Sequence, residues 1–71
     1  MSPPPTITVN GAPRPFKGLS LSVLIAEAGI APDRRGIAVA VNDAVVPRAA
    51  WERTIPRPGD AVEIVQPLQG G

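Results

Sequence analysis

The residues of this chain with the clearest capacity for chemistry are its last two, Gly70 and Gly71. Glycine has no side chain, so such an end can adopt any backbone geometry and enter a channel too narrow for a Cβ. The reactive group would be the carboxylate of Gly71, which is ionised at neutral pH and becomes electrophilic only after another protein activates it, for example as an acyl-adenylate. Taken alone, such a pair is more often an ordinary loose chain end; chemistry done with a partner is the alternative that the rest of the sequence has to support.

The composition removes most other kinds of active site. The 71 residues include no histidine, cysteine or tyrosine, so the usual general base, the thiol nucleophile and the common zinc ligands are missing. A chain of this length forms one core without an enclosed substrate cavity. The acidic residues are scattered, with no pair spaced for acid/base catalysis, and we expect all of them on the solvated surface: Glu27, Asp33, Asp43, Glu52, Asp60 and Glu63. The sequence thus predicts a protein that is not an enzyme and that binds no metal or stable cofactor.

The charge pattern argues against a nucleic-acid partner, and the hydropathy argues against a membrane. The net charge is only +1, the cations are spread along the chain, and Phe16 and Trp51 are the only aromatic residues. Nucleic-acid surfaces instead cluster cations and stacking rings. We expect the Arg34-Arg35 doublet in a solvated loop. The N-terminal residues lack the features of a secretory signal and no segment is long enough to span a membrane, so cytoplasm is the expected location.

The first elements predicted are a leader and a hairpin. Residues 1–5 form a mobile proline-rich leader. Residues 6–9 alternate polar and apolar types, the pattern of a half-buried strand. Asn10-Gly11 follows, and both residues tolerate the positive φ angles of a type I′ turn. A second strand is predicted over residues 12–16, at an edge of the sheet because its two prolines cannot donate ladder hydrogen bonds.

A helix is predicted after the hairpin, with Ser20 as its N-cap. Three- and four-residue spacings place four apolar residues on one of its faces: Leu21, Leu24, Ile25 and Ala28. Gly29 then ends the helix as a left-handed cap. The alternative is a buried strand over residues 21–25; the N-cap, the glycine stop and the alanines favour the helix.

Two more strands are predicted around a turn at Asn42-Asp43. Residues 37–41 alternate large β-branched side chains with alanines, so the large ones should face the core. Residues 44–46 return as a strand until Pro47 removes a backbone donor.

The last part of the chain predicts a short helical turn, a tight turn and a final strand. Residues 48–53 should place Trp51 as a lid over one end of the core, because a core this small has few rings to use. Residues 56–60 form a turn in which proline and glycine supply a fixed and a permissive φ. In the final strand, residues 61–66, two side chains should face inward (Val62 and Ile64) and three outward (Ala61, Glu63 and Val65).

This order of elements is typical of an α+β fold, a small mixed sheet with one main helix packed on one face. It is compatible with the β-grasp fold of ubiquitin, in which the first and last strands lie side by side and parallel at the sheet centre. The domain is then predicted over residues 6–66, and residues 67–71 form a flexible tail that ends in Gly-Gly and projects about 15 Å from the sheet. A tail held at its base by a central strand is poorly explained as ordinary fraying.

The segment from Val41 to Trp51 reads V-N-x-x-x-V-P-R-x-x-W; Gly59-Asp60 and the terminal glycine pair follow it. With this combination the chain resembles the ThiS family, the sulfur carriers of thiamine biosynthesis, over nearly its whole length. Each motif alone would be weak support.

The resemblance implies a specific chemistry at the tail. A ThiF-type enzyme would use ATP to adenylate the Gly71 carboxylate, sulfur derived from cysteine would replace AMP, and thiazole synthase (ThiG) would consume the resulting thiocarboxylate. By the same analogy the partner-binding residues are Gly70, Gln69, Leu68 and Val65. For the motif residues outside the tail, turn and core roles are expected, except that Arg48 is either a structural charge or a partner contact.

Three alternatives stay open from the sequence. The first is a sulfur carrier for another pathway, such as the small subunit of molybdopterin synthase or a carrier for cysteine synthesis. The second is a β-grasp interaction module whose tail is inert, and the third is a modifier joined to lysines of other proteins.

Overall fold

The computed structural model describes residues 3–31 and 33–67 of this chain. They form five strands, one α-helix and one 3₁₀ helix, in this order: β1 (Thr6–Val9), β2 (Ala12–Pro15), α1 (Leu21–Glu27), β3 (Ala38–Val41), β4 (Ala44–Val46), the 3₁₀ helix Arg48–Arg53 and β5 (Ala61–Val65). The predicted α+β class is therefore confirmed. Three strand bounds differ from the prediction by one residue: β2 stops before Phe16, β3 begins after Ile37, and β5 stops before Gln66.

The strands form one mixed sheet in the order β2-β1-β5-β3-β4. Strand β5 is central and parallel to β1, with Thr8 opposite Ala61, and it is antiparallel to β3, with Ala38 opposite Val65. The remaining neighbours, β1 with β2 and β3 with β4, are antiparallel hairpins. This is the predicted β-grasp arrangement, in which the last strand of the chain is held on both sides.

Both hairpins use residues in the left-handed region of φ. Asn10 and Gly11 have φ values of 52° and 83°, and Asn42 and Asp43 have φ values of 50° and 68°. Two consecutive positive φ angles are the mark of a type I′ turn, whose twist matches that of the strands it joins. Both turn predictions are confirmed.

Strand β2 is an edge strand, as its prolines predict. The N–H of Phe16 donates to the carbonyl of Pro5 at 3.0 Å, which shows that the even-numbered N–H groups of this segment point toward β1. The nitrogens of Pro13 and Pro15 therefore point away from the sheet, where no ladder hydrogen bond is lost.

Helix α1 begins and ends at the predicted signals. The Ser20 hydroxyl accepts a hydrogen bond from the N–H of Val23 at 3.3 Å. At the other end Gly29 has a φ of 83°, and the N–H groups of Gly29 and Ile30 donate to the carbonyls of Ala26 and Ile25, the pattern of a Schellman cap.

One detail of the predicted helix was wrong. Ala28, placed by its spacing on the apolar face, is exposed. It is the C-cap residue, with φ −78° and ψ 1°, and it follows Glu27, the last residue of the helix.

The core lies between the helix-bearing face of the sheet, α1 and the 3₁₀ helix. Its buried apolar residues are Ile7, Val9, Leu21, Leu24, Ile25, Ile30, Ile37, Val39, Trp51, Val62 and Ile64. Trp51 is only 3% exposed, and its indole N–H donates to the carbonyl of Val46 at 2.9 Å, so the predicted lid also satisfies a strand carbonyl. Within the described part of the chain, no helix is long and apolar enough to cross a membrane.

Candidate functional site

The predicted site residues divide into one that the structure describes and four that it does not. Val65 is the last residue of β5 and is 57% exposed. Leu68, Gln69, Gly70 and Gly71 lie outside the described residues. The geometry available is therefore that of the tail root, by which we mean residues 65–67, together with whatever holds it.

The side chain of Asn10 holds β5 just before the tail root. Its Oδ1 accepts a hydrogen bond from the N–H of Ile64 at 2.7 Å, and its Nδ2 donates to the carbonyl of the same residue at 3.2 Å. Strand β1 has turned away by this point, so the amide takes the place of a backbone partner. The sequence assigned Asn10 only to turn geometry; asparagine in the first position of a Gly-containing turn was the one signal present.

Pro67 lies directly against Gly36. A Cβ built on Gly36 would be 3.1 Å from Cγ of Pro67 and 3.3 Å from its Cβ, closer than ordinary van der Waals contact. Gly36 also has a φ of 84°, a conformation that side chains disfavour. Both observations favour glycine at this position, and the contact places the loop of residues 33–37, which we call the guide loop, against the tail root.

A second contact joins the guide loop to the tail root. Nη1 of Arg34 donates to Oε1 of Gln66 at 3.1 Å. The carbonyl of Arg34 in turn accepts a hydrogen bond from Nη2 of Arg48, whose guanidinium lies 4.6 Å from the ring centroid of Trp51. A continuous set of contacts therefore runs from the buried indole to Gln66.

These contacts revise two predictions. The Arg34-Arg35 doublet was predicted as a solvated loop, and this holds for Arg35, which is exposed. Arg34 is instead partly buried: its guanidinium donates to Gln66 and its carbonyl accepts from Arg48. Arg48 was left open between a structural charge and a partner contact; its stacking on Trp51 and its bond to the guide loop give it a structural position.

The opposite end of β5 is fixed by a carboxylate and an amide. Asp60 accepts hydrogen bonds from the N–H of Arg57 at 2.8 Å and from Nδ2 of Asn42 at 3.0 Å. Oδ1 of Asn42 accepts from the N–H of Ala61 at 2.9 Å, so this amide also spans two elements. The backbone N–H of Arg57, then the Asn42 amide and the Arg57 charge hold the pKa of Asp60 below its ordinary value. Asp60 thus lies at the surface, as predicted, and in addition its exposed hydrogen bonds join two turns.

The sheet face that α1 does not cover carries mainly small and apolar side chains, with one glutamate. Its residues in β3, β4 and β5 are Ala38, Ala40, Val45, Ala61, Glu63 and Val65, and we call this set the open face. Val45 and Val65 are 76% and 57% exposed, and the two alanines of β3 lie between their strands. Apolar side chains left in solvent beside a tail root are suited to contact another protein.

In the rest of the described chain no group of three potential metal ligands occurs, and no polar or charged side chain is buried. A cavity of about 160 Å³ lies between β2 and α1, lined by Arg14, Phe16, Lys17, Leu24 and Glu27 among others. It sits where β1 begins, whereas the tail root lies beyond the end of β1.

Known proteins of the same size match this chain over nearly its whole length. The family model described as the ThiS family matches residues 7–71. The sulfur carrier protein ThiS of Thermus thermophilus is 36% identical over 66 residues, an alignment that covers 92% of this chain and 98% of that protein.

Two solved structures of a thiamine biosynthesis protein from Geobacter metallireducens are also similar. The crystal structure, of the thiamine biosynthesis protein ThiS, has a TM-score of 0.71 and 32% identity, and the alignment covers 93% of this chain and 99% of that one. The solution structure has a TM-score of 0.73 at the same identity and covers 93% of this chain and 87% of that one.

Proposed function

We propose that this chain, which belongs to the ThiS family, is a sulfur carrier of thiamine biosynthesis that bears its sulfur as a thiocarboxylate on Gly71. The resemblance noted in the segment from Val41 to Trp51 is confirmed at the level of the family. One observation carries the proposal: the family match runs through Gly70 and Gly71.

The first step is activation of the tail by a ThiF-type enzyme. An oxygen of the Gly71 carboxylate attacks the α-phosphorus of ATP, the bond to the β-phosphate breaks, and pyrophosphate leaves. The product is an acyl-adenylate, whose carbonyl carbon is now electrophilic. Gly70 and Gly71 suit this step because neither presents a Cβ to the walls of a narrow active site.

The second step exchanges oxygen for sulfur. A cysteine-derived sulfur nucleophile, at the oxidation level of sulfide, attacks the acyl carbon; the carbon–sulfur bond forms, the carbon–oxygen bond to AMP breaks, and AMP leaves. The thiocarboxylate is a nucleophile that thiazole synthase (ThiG) then consumes. ATP is a substrate of the partner in this scheme, and the carrier needs no cofactor of its own.

The partner-binding surface that we propose combines the open face with the tail. Val65 is the exposed apolar residue at the point where the two meet, and Leu68, Gln69 and Gly70 continue from it toward the reactive end. An apolar centre with polar groups around it is the usual composition of such interfaces. Glu63, exposed on the same face, would then help set the orientation of the partner.

Mass spectrometry tests the proposal. The full chain would be incubated with a ThiF-type enzyme, ATP, cysteine, a cysteine desulfurase and a thiol reductant, which releases the sulfur of the desulfurase persulfide as sulfide. Replacement of one oxygen by sulfur should add about 16 mass units, and fragmentation should place the addition on the terminal glycine. An unchanged mass, with an enzyme shown to be active on its own carrier, would overturn the proposal.

Two altered chains serve as controls. Deletion of Gly71 removes the reactive position, and one alanine added after Gly71 converts its carboxylate into a peptide bond. Neither change touches a described core residue, so both should fold with an unchanged Tm and both should fail to gain mass. To separate pathways, the thiocarboxylated protein would be offered to thiazole synthase and to the large subunit of molybdopterin synthase. If only the large subunit of molybdopterin synthase consumed the thiocarboxylate, the chain would be assigned to that pathway and not to thiamine biosynthesis.

A further inference from the structure

We infer that the guide loop sets the direction in which the tail leaves the sheet, and that Gly36 is a positioning residue for the reaction at Gly71. The inference rests on the proposed function, because it concerns how the tail reaches a partner's active site. It is carried by the contact between Gly36 and Pro67, where a Cβ would be 3.1 Å from Cγ of the proline.

The contact joins two rigid features. The proline ring locks the φ angle of Pro67, so the first residue after Gln66 has little freedom to turn on its own. Gly36 presents its bare backbone to that ring, and the φ of 84° at Gly36 fixes the shape of the loop beneath it. The direction of the chain at Pro67 is therefore set by a surface and not by β5 alone.

The surface is itself anchored to the core. Arg34 lies between Gln66 and the side chain of Arg48, and Arg48 stacks on the buried ring of Trp51. Ile37, which ends the guide loop, is buried at 8% exposure. Because contacts hold the guide loop at both of its ends, the loop can keep its position when the tail root presses against it.

A small change at Pro67 bears on the reaction because the reactive end is only four residues further along the chain. Relief of the 3.1 Å contact needs a shift of a few tenths of an ångström at Pro67. Productive attack needs the reacting atoms within about 3.5 Å, and a displacement of only about 1 Å can cost on the order of a hundredfold in rate.

The test compares Gly36→Ala with Gly59→Ala. Both glycines have strongly positive φ values, 84° and 89°, so both substitutions carry a similar backbone strain. The added methyl group meets Pro67 only at position 36, because nothing lies within 4 Å of a Cβ at Gly59. The pair thus separates displacement of the tail root from loss of stability.

The readout is ATP–pyrophosphate exchange by the ThiF-type enzyme, at a temperature where both variants are folded. We expect kcat for Gly36→Ala to fall at least about tenfold, since the displaced tail reaches the active site less often. The KM for the carrier chain should change less than about twofold, because the open face is unaltered. Gly59→Ala should keep both constants within about twofold of the original chain.

A third variant removes the proline. Pro67→Gly deletes the ring atoms that the new methyl group would meet, so Gly36→Ala should cause no further loss of kcat when added to Pro67→Gly. If the two substitutions instead lowered kcat independently, so that their factors multiplied in the double variant, the contact between Gly36 and Pro67 would not be the cause of the loss. That result would overturn the inference.

Failure of the inference and failure of the proposed function give different results. If the original chain supports no exchange, the proposed function falls and the inference falls with it. If the original chain is active and Gly36→Ala matches Gly59→Ala in kcat, only the positioning role is lost.

Discussion

Asn10 and Ile64 are joined by two hydrogen bonds although 54 positions separate them in the chain, with the amide of Asn10 bonded to both the N–H and the carbonyl of Ile64 at 2.7 and 3.2 Å. The same residue has a φ of 52° in the first hairpin turn. One side chain thus closes a local turn and pairs with the central strand just before the tail root. The anchoring of β5 therefore depends on a residue at the opposite end of the sequence.

Asn10→Gly should destabilise the fold by about 1–3 kcal/mol, because it leaves the backbone groups of Ile64 without their partner while glycine accepts the positive φ readily. Urea unfolding followed by the fluorescence of the single tryptophan measures the loss. Asp43→Gly is the matched control, since Asp43 is an exposed turn residue with a φ of 68°. Its stability should stay within about 0.5 kcal/mol of the original. Equal losses in the two variants would assign the effect to glycine entropy alone.

Arg48→Lys should cost about 1 kcal/mol, because an ammonium group lacks the flat guanidinium that stacks on Trp51 and donates to the guide loop. Arg53→Lys, at the exposed end of the same 3₁₀ helix, should change stability by less than about 0.5 kcal/mol. Urea unfolding of both variants makes the comparison. A normally stable Arg48→Lys chain that the ThiF-type enzyme binds poorly would restore the partner-contact interpretation that the sequence left open.

The features predicted correctly from the sequence are the local ones. Asn10-Gly11, Ser20 and Gly29 are read from neighbours only a few positions away, and the alternation in Val62 and Ile64 follows from strand period alone. Steric rules of this kind act within a few residues, so one sequence is enough to apply them. The β-grasp arrangement then followed from the order of the elements.

The features missed are contacts between residues far apart in the chain. Arg34 and Gln66 are 32 positions apart, and no spacing rule connects them. The Arg34-Arg35 doublet has no apolar periodicity around it, so it was assigned to a solvated loop. The contact of Gly36 with Pro67 became visible only when the fold placed the loop beneath the tail root.

Asp60 illustrates the same limit for charge. The sequence was searched for acids spaced near other acids, whereas the partner that matters is the Asn42 amide, 18 positions away. An acid that accepts hydrogen bonds from a turn N–H and from an amide stabilises two turns at once without any catalytic role.

Acid should weaken the contribution of Asp60 in a defined direction. Its pKa in the folded state is lowered from 3.8, chiefly by the N–H of Arg57, so the unfolded chain binds the proton more readily. The stabilisation is therefore complete above the ordinary pKa and is lost as the pH falls through the folded-state pKa. We expect Asp60→Asn to lower Tm at pH 7, and the difference from the original chain to shrink as the pH falls below about 4. Thermal unfolding by circular dichroism measures both curves.

Asp43→Asn is the control for this pH dependence, because Asp43 is an exposed acid in the neighbouring turn. Its Tm should follow that of the original chain at every pH. A difference for Asp60→Asn that stays constant from pH 7 to strongly acidic conditions would show that the loss does not come from the charged carboxylate.

Val65→Ser should weaken docking to the ThiF-type enzyme while leaving the domain folded. Val65 is 57% exposed on the open face, so little core packing is lost, and a surface change of this kind alters stability by about 0.5 kcal/mol or less. If Val65 is a central apolar contact, its loss should cost more than about 1 kcal/mol of binding, which raises KM in ATP–pyrophosphate exchange about fivefold to tenfold. The kcat should hardly change, because the contact between the guide loop and Pro67, which sets the direction of the tail, is unaltered.

The matched control is Val23→Ser, which makes the same substitution at an exposed valine of α1, on the other side of the sheet. A docking surface confined to the open face predicts an unchanged KM for that variant. If both substitutions raised KM equally, the partner would have to contact the helix as well, and the docking surface would not be confined to the open face. If neither did, binding would rest on the tail alone. Val65→Ser is expected to change mainly KM, whereas Gly36→Ala is expected to change mainly kcat. This difference separates the surface that binds the partner from the contact that directs the tail.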